Sequence, residues 1–228
     1  MSKQHSAARP PREARRAAWL AAAATPVLIA GASLALLFNP WWVLPAQQRA
    51  GVAGIAGLPE AEVARITKAL ISDATNGPPD FVVAIGGTPV LDAAERGHMR
   101  DVFSVLRAFE VVVALAAAAM IGSGIQSCRN ARWWRSVSRA ALATAAVGAS
   151  AGVLFVAFFD AAWLAFHQVF FPEGNFSFDP RVERLTQLFP TSFWTESAAA
   201  VFIVGVSISL ALWLGSRYLA SRLEIHLG

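Results

Sequence analysis

The sequence predicts an all-α membrane protein: four transmembrane helices with a small extracellular mixed α/β cap. Three observations lead there. The 228 residues are 56% hydrophobic and only 15% charged, with a mean hydropathy of +0.49. Soluble domains hold about 25% charged and roughly 45–50% apolar residues, and so much apolar surface cannot be hidden in one soluble core of this size. Four stretches are also apolar over about 20 residues, the length that crosses a bilayer as a helix. Finally, the basic residues cluster. Segments 1–16, 127–139 and 217–228 carry 11 basic and 2 acidic side chains, a net of +9, while the rest carries 8 basic and 13 acidic, a net of −5. With four spans these segments fall on one side, which the positive-inside rule makes cytoplasmic. The overall +4 is therefore an orientation signal: membrane lipids are expected partners and nucleic acid is not.

A basic tail, 1–16, holds Lys3, Arg9, Arg12, Arg15 and Arg16 against Glu13. The first span, 17–38, has an uncharged stretch longer than the roughly 7–15 apolar residues of a signal peptide, so it reads as an uncleaved anchor. The extracellular cap is 39–101. Within it, Leu58-Pro59-Glu60 signals a helix start, and Val63, Ile66 and Leu70 form an apolar stripe to about Asp73. Asn76-Gly77-Pro78-Pro79 ends that helix. Residues 81–85 and 88–91 then flank Gly86-Gly87 as a short hairpin whose second strand, holding Pro89, must lie at an edge.

The second span is 102–126, and the basic loop 127–139 follows with Arg129, Arg132, Arg135 and Arg139. The third span is 140–160. The extracellular segment 161–195 is dense in aromatic residues that cannot remain in water; within it Asp179-Pro180 can cap a short helix running to Leu188. The fourth span is 196–216, followed by a cytoplasmic tail, 217–228. Trp41, Trp42, Trp163 and Trp194 fall at outer span ends, and Trp19, Trp133, Trp134 and Trp213 at inner ones, as an interfacial belt requires. The one cysteine, Cys128, excludes an intramolecular disulfide, and its place in the basic loop makes it an inert thiol rather than a nucleophile.

Two histidines carry the candidate chemistry. His5 and His226 lie in the tails and read as solvent-exposed. His98 and His167 both lie outside, near outer span ends, and imidazole suits proton transfer at neutral pH. Glu95 and Asp101, three residues to either side of His98, share its helix face and are placed to orient the ring and favour its protonated form. The same four side chains are a conceivable N/O ligand set, though their spacing is no H-E-x-x-H. No G-x-S-x-G elbow occurs. On the residues alone, an acid–base enzyme, a metal-dependent membrane enzyme and a non-enzymatic scaffold or lipid- or lipopeptide-binding protein all stay open.

Two local patterns go further. Residues 95–102 read E-x-x-H-M-x-D-V. Residues 166–194 read F-H-x-x-F-F-P, then Asn175-Phe176, Asp179 and L-x-x-L-F-P-x-x-F-W. Together, and in the order span, cap, histidine, span, histidine, they resemble the bacterial lipoprotein intramolecular transacylase family and its four-span relatives over about residues 15–220. The resemblance implies an acyltransferase of the bacterial cell membrane acting on a diacylated lipoprotein. An sn-2 acyl chain would move to the α-amino group of the N-terminal cysteine and leave a lyso-form lipoprotein. It implies His98 and His167 as the catalytic acid–base pair, supported by Glu95 and Asp101. Phe166, Phe170, Phe171, Asn175, Phe176, Phe193 and Trp194 would line the pocket, with no metal and no cofactor. Amine attack on an ester needs a base and the departing glyceryl oxygen needs a proton, so no nucleophilic side chain is required.

Overall fold

The computed structural model describes residues 12–225; His5, His226, Lys3 and Arg9 lie outside the described residues. The described residues are 81% helical, and among them four helices are long and apolar enough to cross a membrane. In chain order these are α1 (Arg12–Leu34, continued by a 3-10 turn, Ala35–Phe38), α5 (Ala93–Ser127), α6 (Ala131–Ala157) and α9 (Thr191–Ile225). Between α1 and α5 come α2 (Pro40–Arg49), α3 (Val52–Ala56), α4 (Glu60–Asn76), β1 (Ala84–Ile85) and β2 (Thr88–Pro89); between α6 and α9 come α7 (Phe159–Phe170) and α8 (Arg184–Leu188). Val111, Leu115, Ile121 and Ile125 on α5, and Val147, Val153 and Leu154 on α6, are exposed. Only lipid can cover so apolar a surface, and helices satisfy their own backbone there. This is a multi-pass membrane protein.

The chain forms two compact units. One comprises Met1–Ala30, Val112–Val147 and Val206–Gly228. In it the alanine face of α1 (Ala17, Ala21) packs on Trp133 and Val137 of α6, with Met120 of α5 and Leu212 of α9 alongside. Small residues permit such close helix approach within a membrane. Arg135 of α6 pairs with Glu224 of α9 at 3.0 Å. The start of α1, the start of α6 and the end of α9 are thus gathered, and with them Arg12, Arg15 and Arg16, the arginines of α6, and Arg217 and Arg222.

The other unit comprises Gly31–Val111 and Gly148–Gly205. Its apolar core joins Val63, Ile66 and Leu70 of α4 to Val52, Phe81, Leu91, Leu185 and Leu188. A buried polar knot ties three elements there. Gln47 of α2 donates to the Leu188 carbonyl at 2.8 Å and accepts from the Thr67 hydroxyl at 2.9 Å, so a buried amide is satisfied on both ends. The hairpin pairs Ala84 with Pro89 and Ile85 with Thr88, and Gly86 and Gly87 both take positive φ, as a two-residue turn matched to strand twist requires.

Several boundaries differ from expectation. The strands are two residues each instead of four or five: the Val90 N–H still reaches the Val83 carbonyl at 2.7 Å, but Phe81 takes a positive φ of 51°, outside the extended region, and ends the first strand. The basic loop shrinks to residues 128–130, and Arg132, Arg135 and Arg139 ride on α6; arginine is a good helix former and nothing there breaks the helix. The third span divides at Phe158 into α6 and α7. The helix expected from Asp179 begins at Arg184, after Glu183. Helix α2 was not foreseen, although Asn39 accepts the Trp41 N–H as an N-cap and Pro40 sits at the first position, a known start signal. Trp133 is buried and donates to the Ser123 hydroxyl at 3.2 Å, so packing rather than an interfacial belt places that ring.

Candidate active site

His98 enters the site from the first turns of α5. Asp92 and Glu95 begin that helix as a capping box: the Asp92 carboxylate accepts the Glu95 N–H at 2.8 Å and Glu95 accepts the Asp92 N–H at 2.7 Å. The second Glu95 oxygen accepts the Leu185 N–H at 2.6 Å. Glu95, only 2% exposed, therefore spends its charge on two backbone donors and clamps α8 to α5. Asp101 accepts from the Asn175 amide. The pairing expected between these carboxylates and the His98 ring is replaced by backbone and loop contacts: the cap and the 171–180 loop offer donors closer to the carboxylates.

Helix α7 supplies His167. The two imidazoles, 6% and 5% exposed, stack with ring centroids 5.9 Å apart and planes 23° from parallel. His167 Nδ1 lies 2.8 Å from the Trp163 carbonyl oxygen one turn earlier. A carbonyl only accepts, so Nδ1 carries the proton and Nε2 keeps its lone pair. His98 Nδ1 is buried without a hydrogen-bond partner among the described residues. Burial pushes the His98 imidazole down to about 4, the facing His167 adds to this, and Asp101 opposes it. Burial also lowers His167, against the raising effect of the Trp163 carbonyl. Both rings are neutral at pH 7.

Aromatic rings wall the pair. Phe171 stands 4.9 Å from His98 and 5.6 Å from His167 between centroids. Phe176 and Phe166 lie 5.0 Å and 5.3 Å from His167. Two rings outside the expected set complete the wall, Trp163 at 4.4 Å from His167 and Phe178 at 5.5 Å from His98. Trp163 precedes His167 by four residues, a helical spacing that places both on one face. Trp194 reaches the site through Trp163, 5.0 Å away. Phe170 packs on Phe166 and is 46% exposed. Phe193 is buried among Val43 and Ala46 instead.

This geometry, two facing neutral imidazoles in a dry aromatic wall, suits proton transfer at a reaction that excludes water. Residues 88–194 match the family model described as lipoprotein intramolecular transacylase Lit. The matched segment, just under half of the chain, contains both histidines. It bears out the resemblance drawn from the sequence and, with it, the reading of the protein as an acyltransferase. Among solved structures the chain is similar to the membrane integral lipoprotein intramolecular transacylase Lit from Bacillus cereus, with TM-score 0.78 and 18% identity over 93% of this chain and 98% of that one. Two further structures of that Lit protein carry a histidine replaced by arginine or by alanine. Each has TM-score 0.73 over 93% of this chain, at 17% and 18% identity, covering 94% and 96% of the other chain. At such identity the likeness shows the fold. A search of curated proteins gives no match.

Proposed function

We propose that the protein moves the sn-2 acyl chain of a diacylglyceryl-cysteine lipoprotein onto the cysteine α-amino group, with His167 as proton carrier and His98 as hydrogen-bond donor. The observation that carries this reading is the His98–His167 stack with the His167 tautomer set by the Trp163 carbonyl. His167 Nε2 takes the proton from the attacking amine as the new N–C bond forms. The resulting imidazolium returns that proton to the glyceryl oxygen as the ester C–O bond breaks, so no proton or electron is left over. His98, held neutral, donates its N–H to the carbonyl oxygen as negative charge develops; a neutral imidazole serves as such an electrophile where its pKa is depressed. Amine and ester belong to one molecule, so the aromatic wall need only hold them together and dry. The histidines lie outside the +9 segments, which supports cytoplasmic N- and C-terminal ends, extracellular segments 39–101 and 161–195, and a site on the outer face of the membrane, where lipoproteins reside.

The transfer conserves mass, so its readout is position: tandem mass spectrometry locates the acyl chain on nitrogen or on glycerol. Purified protein with a diacylated lipoprotein is expected to give the N-acyl lyso form. His167→Ala and His98→Ala should each lower its formation by at least about 10²-fold, the range of general acid–base catalysis. N-acylation at the wild-type rate in either variant overturns the mechanism, and a wild-type protein that binds lipoprotein without N-acylating it is a binding protein.

A further inference from the structure

The first nine residues of α1, about two and a half turns, carry a pattern that the transfer chemistry does not use. Arg12, Arg15, Arg16, Trp19 and Leu20 follow the i, i+3, i+4, i+7, i+8 spacing that places residues on one helix face. All five are exposed, and together they line a shallow groove. The opposite face, Ala17 and Ala21, is buried against α6, so the groove faces outward from its unit. Among the described residues no acidic side chain pairs with Arg12, Arg15 or Arg16. The opening turns hold three cations against one acid, Glu13, a net positive charge that opposes the helix dipole, so helix stability does not account for them. The arginines on α6 are arranged differently, since Arg135 is neutralised by Glu224 and no exposed tryptophan follows one turn on.

We propose that this groove is a binding site for the headgroup of an anionic glycerophospholipid in the leaflet on the basic side of the membrane. Depth and chemistry correspond along the helix. Three guanidiniums sit at the level of the phosphates, and guanidinium binds phosphate through paired N–H donors. One turn inward, Trp19 (72% exposed) and Leu20 (50% exposed) meet the headgroup boundary and the first acyl carbons, where indole partitions. A basic cluster beside a span is attracted to anionic lipid by charge alone. The groove adds a fixed place for one such lipid and so sets the depth of α1.

The test is native mass spectrometry of the full chain released from detergent with phosphatidylglycerol or phosphatidylcholine. The wild type is expected to retain one phosphatidylglycerol in preference to phosphatidylcholine, and glycerol 3-phosphate should not compete. In R12Q/R15Q/R16Q that retention should fall about tenfold. Because loss of charge can disturb insertion, R12K/R15K/R16K keeps the charge and removes the paired donors; it should insert normally and retain the lipid several-fold less. R132Q/R139Q should behave as wild type. Equal retention of the two lipids by wild type, or unchanged phosphatidylglycerol retention in the glutamine and lysine variants, overturns the proposal. So does an equal loss in R132Q/R139Q, and competition by glycerol 3-phosphate would point to a free phosphate ester instead.

Discussion

His167 Nδ1 points at the main-chain carbonyl of Trp163, 2.8 Å away and one helical turn earlier. The bond commits the ring's proton to the helix and leaves Nε2 as an acceptor. Nitrogen-15 spectra of histidine-labelled protein should therefore show His167 as the Nδ1–H tautomer at neutral pH. An Nε2–H tautomer is incompatible with the proton-accepting role proposed for this ring.

The pH dependence of stability follows from His98. Its folded value of about 4 lies below the ordinary value of about 6.5. Between these values the unfolded chain binds the proton more readily than the folded one. The stabilising contribution of neutral His98 is thus complete above about pH 6.5 and is lost as pH falls toward 4. Thermal unfolding in detergent should show this acid loss, and His98→Gln should flatten it. Turnover should behave differently. With both rings neutral, the acid limb of the rate belongs to the substrate α-amino group, near its usual value of about 7.7–8.0. A limb near 6.5 contradicts the depressed histidines.

Glu95 holds two backbone N–H groups rather than a histidine. Glu95→Ala should cost about 1.5–3 kcal/mol, the scale of hydrogen bonds to a charged acceptor. Glu95→Gln must turn its NH2 toward one donor and should be nearly as damaging. Chemical unfolding of both variants measures this, and a glutamine variant as stable as wild type would count against the clamp.

Gln47 joins α2, α4 and α8 from a fully buried position. Gln47→Leu leaves the Leu188 carbonyl and the Thr67 hydroxyl without their partner. The expected loss is about 1–3 kcal/mol for unsatisfied buried groups, visible as a lower melting temperature.

Gly152 of α6 faces Phe202 of α9 so closely that an added Cβ would stand 2.8 Å from the Phe202 Cβ and Cγ. The Cβ of Phe202 is fixed to its backbone and cannot swing aside. Gly152→Ala should therefore force the helices apart and cost about 1–3 kcal/mol as overpacking. Gly215→Ala, where a Cβ meets open space, is the matched control.

By itself the sequence determined the membrane class, the four spans, the gathering of the basic segments and the two histidines. Each is written locally, as about 20 apolar residues in a row, as charge counted along the chain, or as a short motif around an imidazole. The α4 stripe was legible for the same reason, since periodicity needs no partner. Other features were settled only in three dimensions. Glu95 lies on the face of His98, yet its carboxylate is claimed by the Leu185 N–H, 90 residues away in sequence. Phe193 reads like its aromatic neighbours but is buried beside Val43, whereas Phe178 turns to His98. A side chain's type states what it can bind; which competitor lies nearest is decided by packing, because buried donors and acceptors must find partners wherever the chain brings them.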